Sequence, residues 1–294
     1  MSVSRGPLFH RAAMYAAALF AIAAVSVAQA QSKASCSFTI FTLNSNPQIF
    51  VYGVNDYGTV VGQANFGNSV SPQYKAFVHY AGGGTTYWIP SGATSSAFGD
   101  RNNSGTTVGW YTDSSNKYHP VQLTGSAVTP IPPPYHAMPD GINKYNSVVG
   151  SYLDGNRNWH AYKRYSDGKT IHLNFPGAAG TIAHGSNDSG AIVGTYSFSG
   201  PEAYGFIYHN GEWAKLQYPK SPEATELMGI SNKGVIAGQG VDAHGGTLAF
   251  IYENGTFKDV VVPGYSGASM GAISPSGLIA GMAGNTHGFL GSCH

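Results

Sequence analysis

The chain has 294 residues, of which only 10% are charged against 13% aromatic, and it is rich in glycine, with 40. Its 15 basic and 14 acidic side chains nearly cancel, and no Lys/Arg run or basic stripe occurs, which argues against a nucleic-acid partner. Zinc spacing, a phosphate loop, a dinucleotide fingerprint and a nucleophile elbow are all missing from the sequence, so neither a metal nor a cofactor is expected.

In chain order, the first element is a leader. Arg5 and Arg11 make a basic start, residues 12–27 are apolar, and Ala28-Gln29-Ala30 is a small-x-small cleavage pattern. The apolar stretch is short for a membrane span. The expectation is a secretory signal peptide over 1–30 and a mature domain over 31–294, exported to the periplasm or the extracellular space. A retained anchor is the alternative, and it lacks stop-transfer charges. No membrane partner is expected after cleavage, and the protein is expected to act as a monomer. Residues 37–43 then read as an isolated β-strand, with Cys36 just before it.

A ten-residue phrase follows and returns five more times. It first reads Gly53-Val54-Asn55-Asp56-Tyr57-Gly58-Thr59-Val60-Val61-Gly62 and recurs at 100–109, 141–150, 185–194, 229–238 and, more loosely, 272–281. Its closing glycines stand at 62, 109, 150, 194, 238 and 281, a period in the low to mid forties. That period with β-type composition is the mark of a propeller blade. The fourth repeat shows the unit. A strand leads to Asn187, and 191–196, 204–208 and 212–218 follow as β-branched and aromatic runs separated by Gly190 and Asn210-Gly211 turns. Six such units predict an all-β, six-bladed propeller with four short antiparallel strands per blade. A solenoid is the competing repeat architecture.

The chain ends favour the ring. The last repeat stops after its third strand, 287–290, and lacks a fourth, while the early strand 37–43 lacks a blade. Joining them removes an exposed edge. It also brings Cys36 and Cys293 to facing positions, so a Cys36–Cys293 disulfide is expected to staple the ring.

The repeat resembles the extracellular HAF family, whose units carry Gly-Ile-Asn-x-x-Gly-x-Ile-Val-Gly, then a His-Ala-Phe-like tripeptide, then Pro-Gly. Here the tripeptide positions read Lys75-Ala76-Phe77, His119-Pro120-Val121, His160-Ala161-Tyr162, Tyr204-Gly205-Phe206, Leu248-Ala249-Phe250 and His287-Gly288-Phe289. Pro176-Gly177 and Pro263-Gly264 keep the closing turn. The resemblance spans 36–293. It implies a secreted propeller-like protein and no particular activity.

The repeat also separates scaffold from candidate site. The Asn55, Asn102, Asn143, Asn187, Ser231, Ser274 column is turn chemistry, with Asx-type bonds to the backbone. The His119, His160, His287 column is expected to form inter-blade hydrogen bonds rather than bind metal. Residues just before the Asn column should lie near the central channel, and there the pattern breaks. Asp100 and Arg101 replace Gly53 and Val54, Asp140 precedes Gly141, with His136 earlier, and Tyr52 and His184 occupy the same region. These charges are either an Asp100–Arg101–Asp140 network with water or a polar ligand site at the channel mouth, formed by Tyr52, Asp100, Arg101, Asp140 and His184. Asp154, Asn156 and Asn158 have the spacing that opens a calcium loop but lack its Gly and its bidentate Glu, so a plain turn competes with calcium. Trp110 and Trp159 fall where a sugar could stack, whereas Trp88 and Trp213 read as packing. Residues 130–135 form a stiff Pro-rich connection.

The function this supports is a secreted binding module for extracellular polysaccharide or cell-surface glycan. The alternative is a carbohydrate-active enzyme, a polysaccharide lyase or glycoside hydrolase, with one site at the channel mouth; its catalytic residues are not identifiable. A structural envelope protein without a small ligand is the third option.

Overall fold

The computed structural model describes residues 32–132, 137–200 and 202–293. The leader, His136 and residues 133–135 of the Pro-rich connection lie outside the described residues.

Every repeat folds into one antiparallel sheet with its strands in chain order, and six such sheets make the propeller. Blade 1 runs Gln48–Val54, Val60–Asn65, Tyr74–His79 and Thr85–Trp88. The inner strands of the following blades are Ser95–Arg101, Ala137–Ile142, Gly180–Ser186, Glu226–Ile230 and Ala268–Ile273. Blade 6 takes its outermost strand, Cys36–Phe41, from the other end of the chain and pairs it antiparallel with Gly288–Cys293. Cys36 stands directly opposite Cys293 in that register, and the two form a disulfide across 257 residues of chain. One strand was not legible in the sequence. Ser32–Lys33 lies parallel to Thr256–Val260 and adds a fifth strand to blade 5. No helix of the described residues is long and apolar enough to cross a membrane.

Two columns of the repeat explain its spacing. The closing glycine and the third-strand aromatic form one packing device. A Cβ on Gly194 would sit 2.0 Å from the Ile182 carbonyl and 2.8 Å from the Phe206 ring, and Gly238 and Gly281 stand in the same relation to Phe250 and Phe289. With hydrogen in place of a side chain, the fully buried ring lies over the second strand and reaches toward the inner one.

The Asn column works in two directions. Locally, Asn55 Oδ1 accepts from the Tyr57 and Thr59 main-chain N–H groups at 3.1 and 3.0 Å, the expected Asx bonds. Each side-chain amide also crosses to the next blade. Asn55 Nδ2 donates to the Asn102 carbonyl, Asn102 to Asn143, Asn143 to Asn187 and Asn187 to Ser231, at 3.1–3.4 Å. Ser231 and Ser274 keep the local bond, and Ser274 also faces Asp56 of blade 1. Beside this ring, Asp56 accepts from Asn103 of blade 2 and from the Ser276 N–H of blade 6, joining three blades.

The His column corrects the sequence reading. The hydrogen bonds of His119 and His160 stay within a blade. His119 Nε2 meets Asp113 Oδ2 at 2.8 Å, and His160 Nε2 meets Asp154 Oδ2 at 3.0 Å. Each ring stacks on a tyrosine of the adjacent strand, Tyr111 and Tyr152. The reason is the hairpin turn just upstream, where Asp113 and Asp154 point one oxygen back at the histidine. The other oxygen closes the turn. Asp154 Oδ1 accepts the Asn156 and Asn158 N–H groups at 2.8 Å, just as Asp113 accepts Ser115 and Lys117 and Asp242 accepts His244 and Gly246. The calcium-like spacing is therefore a repeated Asx turn. Among the described residues, no group of three or more His, Cys, Asp or Glu side chains is placed to hold a metal ion.

Candidate axial site

Each inner strand carries a one-residue register shift at the same place, between Val51 and Gly53, Phe98 and Asp100, Pro139 and Gly141, Ala183 and Gly185, Leu227 and Gly229, and Met270 and Ala272. A bulge of this kind sets two residues against one and re-aims a side chain. The inserted residues are Tyr52, Gly99, Asp140, His184, Met228 and Gly271. Beside them, the residue after each closing glycine pairs across to the inner strand: Gln63, Trp110, Ser151, Thr195, Gln239 and Met282. The two columns form the wall facing the axis.

Glycines let the inner strands approach one another. A Cβ on Gly53 would lie 2.6 Å from Asp100 Cα, one on Gly99 2.1 Å from the Pro139 carbonyl, and one on Gly271 2.3 Å from the Val51 carbonyl. Blade 2 departs by inserting Gly99 and placing Asp100 in the next position, where the other blades have glycine or Ala272. The Asp100 carboxylate thus stands at the seam between blades 1, 2 and 3. It accepts from the Arg101 N–H at 2.7 Å and from the Ile142 N–H of blade 3 at 3.1 Å. Burial outweighs both bonds and raises its pKa to about 7.

Asp140 is partly buried and has no cationic partner among the described residues, and burial holds its carboxyl well above the usual range. The Ser151 hydroxyl faces it and opposes this shift, without reaching ordinary hydrogen-bond geometry. Tyr52 is pushed up by burial, then by the Asp140 and Tyr74 charges. Its ring lies 6.4 Å from that of Trp110, so the blade 1–2 side of the axis is aromatic. His184 occupies the opposite half. Burial lowers its pKa against the pull of Glu226, and its Nε2 lies 3.2 Å from Thr195 Oγ1. Glu226 accepts from Gln239 Nε2 at 2.6 Å.

Of the sequence candidates, Tyr52, Asp100, Asp140 and His184 come to the axial wall. Arg101 does not join them. Its guanidinium turns outward to Thr107 Oγ1 at 2.7 Å and lies over Gly105, so an Asp100–Arg101–Asp140 network does not form. The physical reason is position: Arg101 is the last residue of its strand, and a long side chain there reaches the adjacent turn. Trp159 stands on the third strand of blade 3, away from the inserted residues.

Sequence reasoning missed Tyr162, Ser151, Glu226 and Gln239. The signals were present. Tyr162 is a tyrosine in a phenylalanine column, and its hydroxyl extends beyond where the other rings end. Burial and the Asp140 charge raise its pKa, with Arg164 opposing. Two clefts lie elsewhere. One of about 390 Å³ is bounded by Ser45–Gln48 and Asn65–Ser69, and one of about 110 Å³ lies between the outer parts of blades 5 and 6.

No family model and no curated protein sequence matches this chain. Solved structures do resemble it. A TolB candidate from Agrobacterium tumefaciens superimposes with a TM-score of 0.61 at 11% identity, over 88% of this chain and 98% of that one. TolB from Acinetobacter baumannii gives 0.53 at 15% identity, over 81% and 65%. The sialidase of Trypanosoma rangeli gives 0.53 at 10% identity over 87% of this chain, which spans 59% of that enzyme. At such identities the likeness shows the fold alone: the chain is a six-bladed β-propeller module.

Proposed function

We propose that this protein is an exported propeller-type binding module for extracellular polysaccharide or cell-surface glycan, with one site per chain at the axis. One observation carries the reading. Five buried side-chain polar atoms lack a hydrogen-bond partner among the described residues, and three of them, Ser151 Oγ, Tyr162 OH and Gln239 Oε1, belong to or adjoin the axial columns of blades 3 and 5. A buried polar group without a partner is costly, and a hydroxyl-rich ligand supplies donors and acceptors in the right place. The repeated polar residues offer no such opportunity. The Asn column is used between blades, and the Asp and His columns are used in turns, so a site in every blade is disfavoured. Tyr52 and Trp110 add an aromatic side against which a sugar face packs. The HAF-like repeat and the Cys36–Cys293 bond are compatible with export to an oxidising compartment.

A second reading rests on Asp100. A carboxyl that titrates at about 7 can give and take a proton near neutrality, as a carbohydrate-active enzyme requires. The outward turn of Arg101 removes the residue that would neutralise a uronate, which weakens the lyase form of this reading. The test is to incubate purified residues 31–294 with neutral and acidic polysaccharides, following retention by affinity electrophoresis and polymer length by chromatography. Retention with unchanged length supports the binding module. Shortened polymer replaces it with the enzyme, and neither effect across the panel refutes both.

A further inference from the structure

The axial site has acids and no counter-ion. Asp100 and Asp140 come from adjacent blades and meet at one seam, since the Ile142 N–H two residues beyond Asp140 is bonded to Asp100. The ion pairs of the described residues lie elsewhere, and none includes Asp100, Asp140 or Glu226. Arg101 is committed to Thr107 and the Gly105 turn, and Arg164 donates to the Gly168 carbonyl and Thr170. Two hydroxyls complete the setting. Ser151 and Tyr162, at 0% and 1% exposure, carry unpartnered oxygens beside Asp140. Tyr52 and Trp110 bring ring faces to the same side.

We infer, resting on the glycan reading above, that the group selected at the axis is a protonated amine carried on the sugar, so that the ligand is a polysaccharide with free hexosamine units. An ammonium group has three donors and no acceptor. It matches the Asp140 carboxylate and the Ser151 and Tyr162 oxygens beside it, with the Asp100 charge at the same seam, and aromatic rings near it add cation–π attraction. A divalent metal ion fits less well, because no third carboxylate, imidazole or thiolate is placed with the two acids. An N-acetylated sugar would leave both acids without a charged partner.

The amine also explains how two partly buried acids can coexist. Asp140 is faced by Ser151 and Tyr162 of blade 3 and by Tyr52 of blade 1, while Asp100 meets the Arg101 and Ile142 N–H groups, and His184 and Glu226 stand together further round the ring. Without ligand Asp100 holds its proton up to about pH 7, and burial raises Asp140 in the same direction. An arriving ammonium replaces a proton, so binding releases one and tightens by about tenfold per pH unit below pH 7.

The test is titration calorimetry of the full exported chain with three probes: the β-1,4-linked glucosamine trimer, the fully N-acetylated trimer, and 1,3-diaminopropane. The expected result is binding of the glucosamine trimer at least thirtyfold tighter than either other probe. About one proton should be released, read from two buffers of different ionisation enthalpy, with affinity rising between pH 5.5 and 7. Equal binding of the two trimers overturns the amine inference and leaves the glycan reading standing. Equal binding of the diamine and the glucosamine trimer keeps the amine and overturns the glycan. Binding of none overturns both. Asp140→Asn should weaken the glucosamine trimer by thirtyfold or more while unfolding cooperatively, and Asp167→Asn, on an exposed turn, should leave its affinity unchanged. An Asp140→Asn protein that is folded and binds normally also refutes the assignment.

Discussion

Replacing Asp100 by asparagine should make the protein more stable, and more so as pH rises. The carboxyl titrates at about 7 in the folded chain against 3.8 for the ordinary group. A folded pKa above the unfolded one means that this group's stability is intact below about pH 4 and is lost as pH rises through 7. At about 1.4 kcal/mol per unit, the buried carboxyl costs about 4 kcal/mol at pH 8 and under about 2 kcal/mol at pH 5. Asn keeps the shape, but its NH₂ cannot accept, so one of the Arg101 and Ile142 N–H groups loses its partner, a cost of about 1–2 kcal/mol at either pH. The stability difference between variant and parent should therefore grow by about 2–3 kcal/mol from pH 5 to pH 8. Urea unfolding at the two pH values measures it, and taking the difference cancels the contributions of Asp140 and His184. A difference that is the same at both pH values would show that Asp100 ionises normally, and the reasoning about the axial acids would fail with it.

Three further outcomes follow from the scaffold and the site. Cys36→Ser with Cys293→Ser, or reduction of the parent, should cost up to about 5 kcal/mol, because the bond closes nearly the whole chain; unfolding with and without reductant reads this directly. Asn102→Ala removes the bonds to the Asn143 carbonyl, Asn146 Oδ1 and the Thr106 N–H, and should destabilise by about 2–4 kcal/mol, whereas the same change at exposed Asn68 should stay within about 0.5 kcal/mol. Tyr162→Phe restores the residue type of its column and deletes an unpartnered hydroxyl, so it should leave unfolding unchanged or raise stability by about 1 kcal/mol, while weakening glucosamine-trimer binding in calorimetry.

Much of the architecture was legible because a closed ring repeats its constraints. The closing glycine recurs in all six blades, the Asn turn in four and the third-strand aromatic in five, since the blades make the same close approach, turn and ring packing. The missing fourth strand of blade 6 and the early strand before blade 1 were legible as complements, and the facing positions of Cys36 and Cys293 followed from them. The two-residue strand Ser32–Lys33 was not, because so short an edge carries no period. The inter-blade half of the Asn column was hidden for another reason. A single repeat specifies what Asn55 does to its own turn, but the carbonyl it reaches belongs to residue 102 and is placed by the stacking of blades. The direction of His119 and His160 was misread on the same ground: their partner is an Asp six residues upstream, within the blade, and spacing alone does not show which way an imidazole turns.

The axial site was half legible, and the division has a physical cause. Tyr52, Asp140 and His184 stood out because they are polar or bulky residues inserted at bulges, and Asp100 because it replaces a glycine. Arg101 stood out equally and turned away, since a charge with a long flexible stem reaches solvent or a turn whenever it can. Short side chains have no such freedom, so Asp100 and Asp140 stay where the backbone puts them. Tyr162 was missed because its column is packing in every other blade. A hydroxyl added to a buried ring changes neither the shape nor the period of the repeat, and it becomes visible only when the ring is seen to end beside Asp140. In a ring built from near-identical blades, the scaffold is what the six repeats share, and a single-site function has to be written in the few positions where one blade carries a polar atom that its neighbours lack and its own fold leaves unpaired.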